Sequence, residues 1–136
     1  MPAQKPGRSV QEVGTPREFL DAVESRFGAI GVDLAALDCN KVTDPYCGPD
    51  HPNPAMRNAL SLACQWGWSY ATGLRWLNPP YANIGVWAAK CAEQSAIGPC
   101  RIAMLVPASV GTNWFAEHVD GKARVLFLRP RLTFVG

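Results

Sequence analysis

The sequence has no run of about 18 apolar residues, which leaves no candidate for a membrane-spanning helix. Its first residues, MPAQKPGRSVQEVG, contain no apolar core of the kind a secretory signal needs. Neither sign of charge dominates: 13 Lys and Arg stand against 11 Asp and Glu, a net charge of +2. Nucleic-acid binders are often far more basic, so this balance neither demands nor forbids such a partner. No Cys-x-x-Cys pair occurs, and the five cysteines (Cys39, Cys47, Cys64, Cys91, Cys100) fall at irregular spacings. Without a secretory signal the simplest reading is reduced thiols in a cytoplasmic protein. Cys39, Cys47 and His51 share one stretch, but the grouping is too loose for a zinc site, and no metal is expected.

What is present fits a globular chain. Of its 136 residues 48% are hydrophobic and 18% charged, enough apolar material for a core without staples. The length leaves no room for a catalytic domain plus a separate recognition domain. Residues 1–14, with Pro2, Pro6, Gly7 and Gly14 and little periodicity, read as a flexible arm, and residues 15–136 as a single domain.

Along that domain, Thr15-Pro16-Arg17-Glu18 reads as a helix start. Thr15 can cap, Pro16 suits the first helical position and Glu18 completes a capping box. Phe19, Val23 and Phe27 follow at helical spacing, and Gly28 is placed to end the helix. Residues 29–34 read as a buried strand, residues 38–56 as a long Pro- and Asp-rich loop, and residues 55–62 as either a helical turn or a short strand. Leu74–Leu77 reads as a strand stopped by Asn78-Pro79-Pro80-Tyr81. Ile84, Trp87, Ala88 and Cys91 then mark one face of a helix over 84–94. A strand over 102–106, a short helix over 112–118, and strands over 125–128 and 132–135 complete the reading.

The alternation of strands and helices predicts an α/β fold, a mostly parallel sheet flanked by helices. Such sheets bind ligands beyond the carboxyl ends of their strands, where Asp33, Asn78 and Pro107 all fall. Asn78-Pro79-Pro80-Tyr81 is the most informative stretch. Two prolines fix the backbone and remove two amide donors, leaving carbonyl oxygens free. Asn78 adds a side-chain acceptor and Tyr81 a flat aromatic face. The set suits a planar ring bearing an exocyclic amino group.

Asn-Pro-Pro-Tyr resembles the catalytic motif of amino-methyltransferases, and the likeness extends to the phage-type DNA N-6-adenine methyltransferases. It runs in order along the chain from residue 15: Thr15-Pro16 before the first helix, Val32-Asp33-Leu34-Ala35-Ala36 at the first strand, Asn58-Ala59-Leu60, the Trp-bearing helix from Ile84 to Lys90, Leu105-Val106-Pro107-Ala108, Trp114-Phe115, and Arg131-Leu132-x-Phe134. The resemblance implies a Rossmann-like methyltransferase sheet. It also implies transfer of a methyl group from S-adenosylmethionine to adenine N6 in double-stranded DNA, as phage or prophage DNA modification. Asn78, Pro79, Pro80 and Tyr81 would be the catalytic residues, acting on an adenine extruded from the duplex. Asp33 would bind the amino group of the cofactor's methionine moiety, with Thr15 and Pro16 bordering the pocket and Asn58 close by.

This chain departs from the pattern in two places. No Gly-x-Gly follows Asp33, and Asn58 stands where an acidic residue is frequent. Structural readings stand beside the functional ones: Thr15-Pro16 as a helix cap, Asp33 as a turn residue, Trp87 and Trp114 as core, and Arg124, Arg129 and Arg131 as a solvated face or a DNA-facing edge. The motif also serves enzymes acting on protein glutamine or RNA base amines, and the missing glycines admit a catalytically inactive DNA-binding module. Members of the family usually continue past the Arg-Leu-x-Phe strand. The expectation is therefore a chain lacking a sheet-closing strand, with an exposed sheet edge near residues 125–135. Oligomeric state is not legible.

Overall fold

The fold is built on Leu74–Leu77, whose four side chains are all buried, as a central parallel strand requires. A computed structural model describes residues 14–61, 66, 73–97 and 100–128 of the chain. The element order is α1 (Arg17–Phe27), β1 (Ile30–Asp33), β2 (Leu74–Leu77), α2 (Ile84–Ile97), β3 (Ile102–Met104) and α3 (Asn113–His118), with single 3-10 turns at Pro54–Met56 and Tyr81–Asn83. The described strands form one parallel sheet in the order β1-β2-β3. The expected α/β class and parallel sheet with flanking helices are what the chain adopts.

One irregularity in β1 decides how that sheet is covered. Ile30 pairs with Leu74, but Val32 pairs with Arg75 and Asp33 with Trp76, so one residue of β1 is skipped at Gly31. A one-residue slip sends the following side chains to the opposite face. Ile30, Leu74 and Trp76 therefore pack with Leu20 and Val23 of α1. Val32 and Leu77 instead join Leu34, Ala59, Trp66 and Trp87 in a second cluster, on the face covered by α2. Each fully buried Val or Leu there contributes roughly 1.5–3 kcal/mol relative to exposure.

Buried polar side chains tie the segment between the first two strands to this frame. Arg75 is 6% exposed, and its guanidinium donates to the carbonyls of Trp66 and Gly73. Lys90 and Gln94, one turn apart on α2, hold the same segment: Lys90 Nζ donates to the Ser61 carbonyl and Gln94 Oε1 accepts from the Trp66 amide.

The long loop after β1 is built rather than loose. Asp33 N donates to the Pro45 carbonyl, Cys47 N to the Asp33 carbonyl and Ala36 N to the Cys47 carbonyl, so residues 45–47 run beside the end of β1 as a short parallel bridge. Tyr46, Cys47 and Gly48 are buried. A Cβ at Gly48 would lie 1.7 Å from the Ala36 carbonyl oxygen, so only glycine fits.

Several sequence expectations need correction. Helix α1 starts at Arg17 with Pro16 as its N-cap residue, and no side-chain cap bond forms, so the Thr15–Glu18 capping box is not made. Helix α2 continues to Ile97, and β3 ends at Met104. Residues 55–62 resolve, as far as Ser61, into the 3-10 turn and an Asn58 turn rather than a strand. Residues 125–128 are not a strand. No described residue pairs with them, and Val125, Leu126, Phe127 and Leu128 are all exposed. Trp87 is core as expected, whereas Trp114 is only half-buried. Residues 1–13 of the arm expected over 1–14, Leu62, Arg129, Arg131 and the strand expected over 132–135 lie outside the described residues. Among the described residues no helix is long and apolar enough to cross a membrane, and no three His, Cys, Asp or Glu form a group that could hold a metal ion.

The steric demand at Gly48 has a direct consequence. Gly48→Ala must push Ala36 or the 45–48 segment off β1, at a cost of about 3 kcal/mol. Thermal unfolding followed by circular dichroism should show a melting temperature lowered by several degrees or more. An unchanged melting temperature would mean that the loop is not packed on Ala36 as described.

Candidate active site

Parallel pairing brings the chemistry-bearing residues to one rim. Leu34 N donates to the Trp76 carbonyl and Leu105 N to the Leu77 carbonyl, at 2.9 and 2.8 Å. Asp33, Asn78 and the segment entering Pro107 therefore leave three neighbouring strands at the same carboxyl end. Helix α1 enters β1 through Gly28, so it runs back over the sheet and its N-terminus lies above that rim. The edge of Phe19 against Trp76, with ring centroids 6.3 Å apart, fixes this placement. Thr15 and Pro16 thus sit at the same end as Asp33 and Asn78, on the α1 face.

Asn58 is placed differently. Its side chain is exposed and folds back on its own turn, Oδ1 accepting from Leu60 N at 3.0 Å. Its neighbour Ala59 is buried in the cluster on the α2 face. The structure gathers Thr15, Pro16, Asp33 and the Asn78 motif, and commits the Asn58 side chain elsewhere.

Among the described residues, Asn78 is the Asn or Asp whose side-chain oxygen is buried without a partner. Asp33 Oδ1 accepts from Ala35 N, Asn53 Oδ1 from Ala55 N and Asn58 Oδ1 from Leu60 N. Each satisfies itself with the amide two residues on, the ordinary Asx turn. Two residues after Asn78 stands Pro80, which has no N–H. Asn78 Oδ1 is accordingly buried without a hydrogen-bond partner. Leaving such an acceptor unpaired costs about 1–3 kcal/mol, a strain reservoir of the sort found where a ligand supplies the missing donor. Pro79 is fully buried and locks the turn, and Tyr81 opens the 3-10 turn leading into α2.

Asp33 carries the second electrostatic feature. Its carboxylate is 3% exposed and accepts from the amides of Ala35 and Val42. Among the described residues no cation is paired with it. Burial pushes its pKa up to about 7 from an ordinary 3.8, against the lowering effect of the Val42 and Ala35 amides. As the structure stands, this side chain anchors residues 35–42 to the end of β1. Each oxygen accepts one amide and retains a lone pair for a further donor.

Sequence reasoning missed the buried Arg75, Lys90 and Gln94. Side chains of these types are ordinarily solvated, and nothing in their spacing marks them as buried. The Gly48 contact was equally invisible, because it depends on residues 45–48 returning to Ala36.

Residues 6–136 match the family model described as DNA N-6-adenine-methyltransferase (Dam). The DNA N-6-adenine-methyltransferase of Escherichia phage T1 is 32% identical over 119 residues, 88% of this chain and 45% of that relative. The chain thus spans less than half the length of this curated relative. No solved structure matches it.

The raised Asp33 pKa makes stability depend on pH in a stated direction. An acid whose folded pKa lies above its unfolded value contributes stability below the unfolded pKa, lost as pH rises through the folded one. For Asp33 that window runs from about 4 to about 7. Asp33→Asn removes the ionisation and adds a pH-independent offset, because an amide accepts at one atom only. The melting temperature of the wild-type protein minus that of Asp33→Asn should therefore fall by several degrees between about pH 4 and about pH 8. A difference that stays flat across this range would contradict a buried carboxyl that ionises near neutrality.

Proposed function

The chain belongs to the DNA N-6-adenine-methyltransferase family, and from that premise we propose that it transfers the methyl group of S-adenosylmethionine to the N6 amino group of adenine in double-stranded DNA, as a phage or prophage modification activity. The observation that carries this reading is the buried, unpartnered Oδ1 of Asn78. It asks for a donor, and an exocyclic amino group is one.

Adenine N6 is a poor nucleophile because its lone pair is delocalised into the ring. An N–H donated to Asn78 Oδ1, and a second to the Pro79 carbonyl, would favour a pyramidal nitrogen with a localised pair. Pro80 leaves Asn78 Oδ1 without the amide two residues on, and Pro79 and Pro80 stiffen the turn, so little reorganisation would accompany the reaction. S-adenosylmethionine, when bound, would supply an electrophilic methyl carbon, its thioether leaving as the nitrogen gains the methyl group and the surplus N6 proton passing to water. Asn78 is an acceptor rather than a strong base, as a step that needs no prior deprotonation requires. Orientation of the nitrogen at the rim supplies the rest. Tyr81 would supply an aromatic face for stacking on the extruded base.

The residues present suit the cofactor. A buried carboxylate without a paired cation is the complement of an ammonium group, whose arrival would hold Asp33 ionised. Asp33 would thus bind the methionine amino group. Thr15 and Pro16, at the N-terminus of α1, would border the same pocket, and the Asn58 side chain, bonded to its own turn, is left out of it.

Asn78→Ala should lower methyl transfer from labelled S-adenosylmethionine to duplex DNA by about 100-fold or more, with cofactor affinity by calorimetry changed little. Parallel assays with RNA and with protein acceptors separate adenine in DNA from other amino groups. A folded protein that neither binds S-adenosylmethionine nor labels DNA would overturn the reading.

A further inference from the structure

The segment after β3 reaches the rim from the third strand and presents an apolar tip there. Leu105 N donates to the Leu77 carbonyl, which carries the β2–β3 pairing past β3 and releases the chain at Pro107, beside the strand that ends in Asn78. A braced turn follows. Ser109 N donates to the Pro107 carbonyl at 2.8 Å, Thr112 N to the Ser109 carbonyl at 3.2 Å and Thr112 Oγ1 to that same carbonyl at 2.7 Å. Beyond it α3 is seated on α2, close enough that a Cβ at Gly85 would lie 3.4 Å from the Cβ of Trp114. The turn is held at both ends.

At its tip stands Val110, 52% exposed, followed by Gly111, around which a Cβ would meet nothing within 4 Å. Turns favour Asn, Asp, Ser or Gly at such places, and a stiff β-branched side chain held out into water is unfavourable there. From Leu105, bonded to the Leu77 carbonyl, the five residues to Val110 span at most about 18 Å, which keeps Val110 at the same end of the sheet as Asn78. Of the other exposed large apolar side chains described, Val86 lies in the first turn of α2, on a helix rather than at the tip of a turn, Ile97 closes α2 at its far end, and residues 125–128 follow α3 without a brace of this kind.

We propose that Val110 is an insertion wedge: it enters the DNA base stack beside the target and fills the space left when adenine moves out toward Asn78. This rests on the DNA methyl-transfer reading. Adenine N6 inside a duplex cannot reach a buried acceptor, so the base must leave the stack, at a cost of a few kcal/mol. Apolar side chains pushed between base steps offset that loss in other DNA-deforming proteins. Val110 is a positioning residue, acting through the extruded base and touching no reacting atom.

The test uses a duplex adenine that the full-length wild-type chain methylates, placed either opposite thymine or opposite an abasic site, where extrusion is already easy. Val110→Ala should lower kcat/KM about tenfold on the paired adenine and within about twofold opposite the abasic site, with Val110→Ile restoring the paired rate. Ile97→Ala should match the wild-type protein on both duplexes. Equal loss on both duplexes, or no loss on either, overturns the wedge while leaving methyl transfer intact. Failure of the wild-type chain to methylate any DNA overturns the enzymatic reading and the wedge with it.

Discussion

The slip at Gly31, where β1 skips one residue against β2, is the constraint on which the rest depends. Without it Ile30 and Val32 would face the same side, and one layer of the core would lose a member. With it, Ile30 joins the α1 face, Val32 the α2 face, and Asp33 returns to the α1 face at the rim. The same slip aligns Asp33 with Trp76, two residues before Asn78. A local irregularity in a four-residue strand thus sets both the packing of two helices and the separation of the two electrostatically unusual groups.

Among the described residues one buried side-chain oxygen is left without a donor, and it stands at that rim. Asp33, Asn53 and Asn58 each close on an amide two residues ahead, whereas at Asn78 a proline takes that donor away and nothing replaces it. The exception is cheap in sequence, a single imino acid, and specific in outcome. It yields an acceptor that is buried, oriented and unoccupied without a cavity carved for it. Asp33 shows a related logic with the opposite sign of provision. Its carboxylate has its two amides, yet burial without a paired cation leaves its charge poorly stabilised. One group lacks a donor and the other lacks a positive charge, and a reaction between an amino group and a cationic cofactor would bring both.

Much of this was legible in the sequence, and the illegible part has a physical pattern. The strand Leu74–Leu77 and the start of α2 at Ile84 were readable because apolar periodicity and the prolines act locally. So was the shared rim of Asp33 and Asn78, since parallel topology dictates it. The capping box failed because Pro16 took the cap position that Thr15 was expected to hold. The 125–128 strand failed because a strand needs a partner, and apolar composition does not provide one. The buried Arg75, Lys90 and Gln94 were hidden for a different reason. They bond to carbonyls and an amide near residues 61–73, contacts between positions up to 29 apart that no local pattern encodes.

The two sides of the sheet are treated unequally, and this bears on how so short a chain could meet a large substrate. Beside β1 the edge is closed by residues 45–47, stapled by three backbone bonds and sealed at Gly48. Beyond β3 the chain instead forms a braced turn and a short helix, and then four exposed apolar residues. A closed edge resists further pairing, whereas exposed apolar side chains remain available for contact. Any surface that engages a bulky partner should therefore lie on the β3 side of the rim, across Asn78 from the stapled loop. On that geometry the stapled loop serves to hold Asp33 in place, and under the proposed function contacts with DNA would fall to the turn after Pro107 and the residues around it.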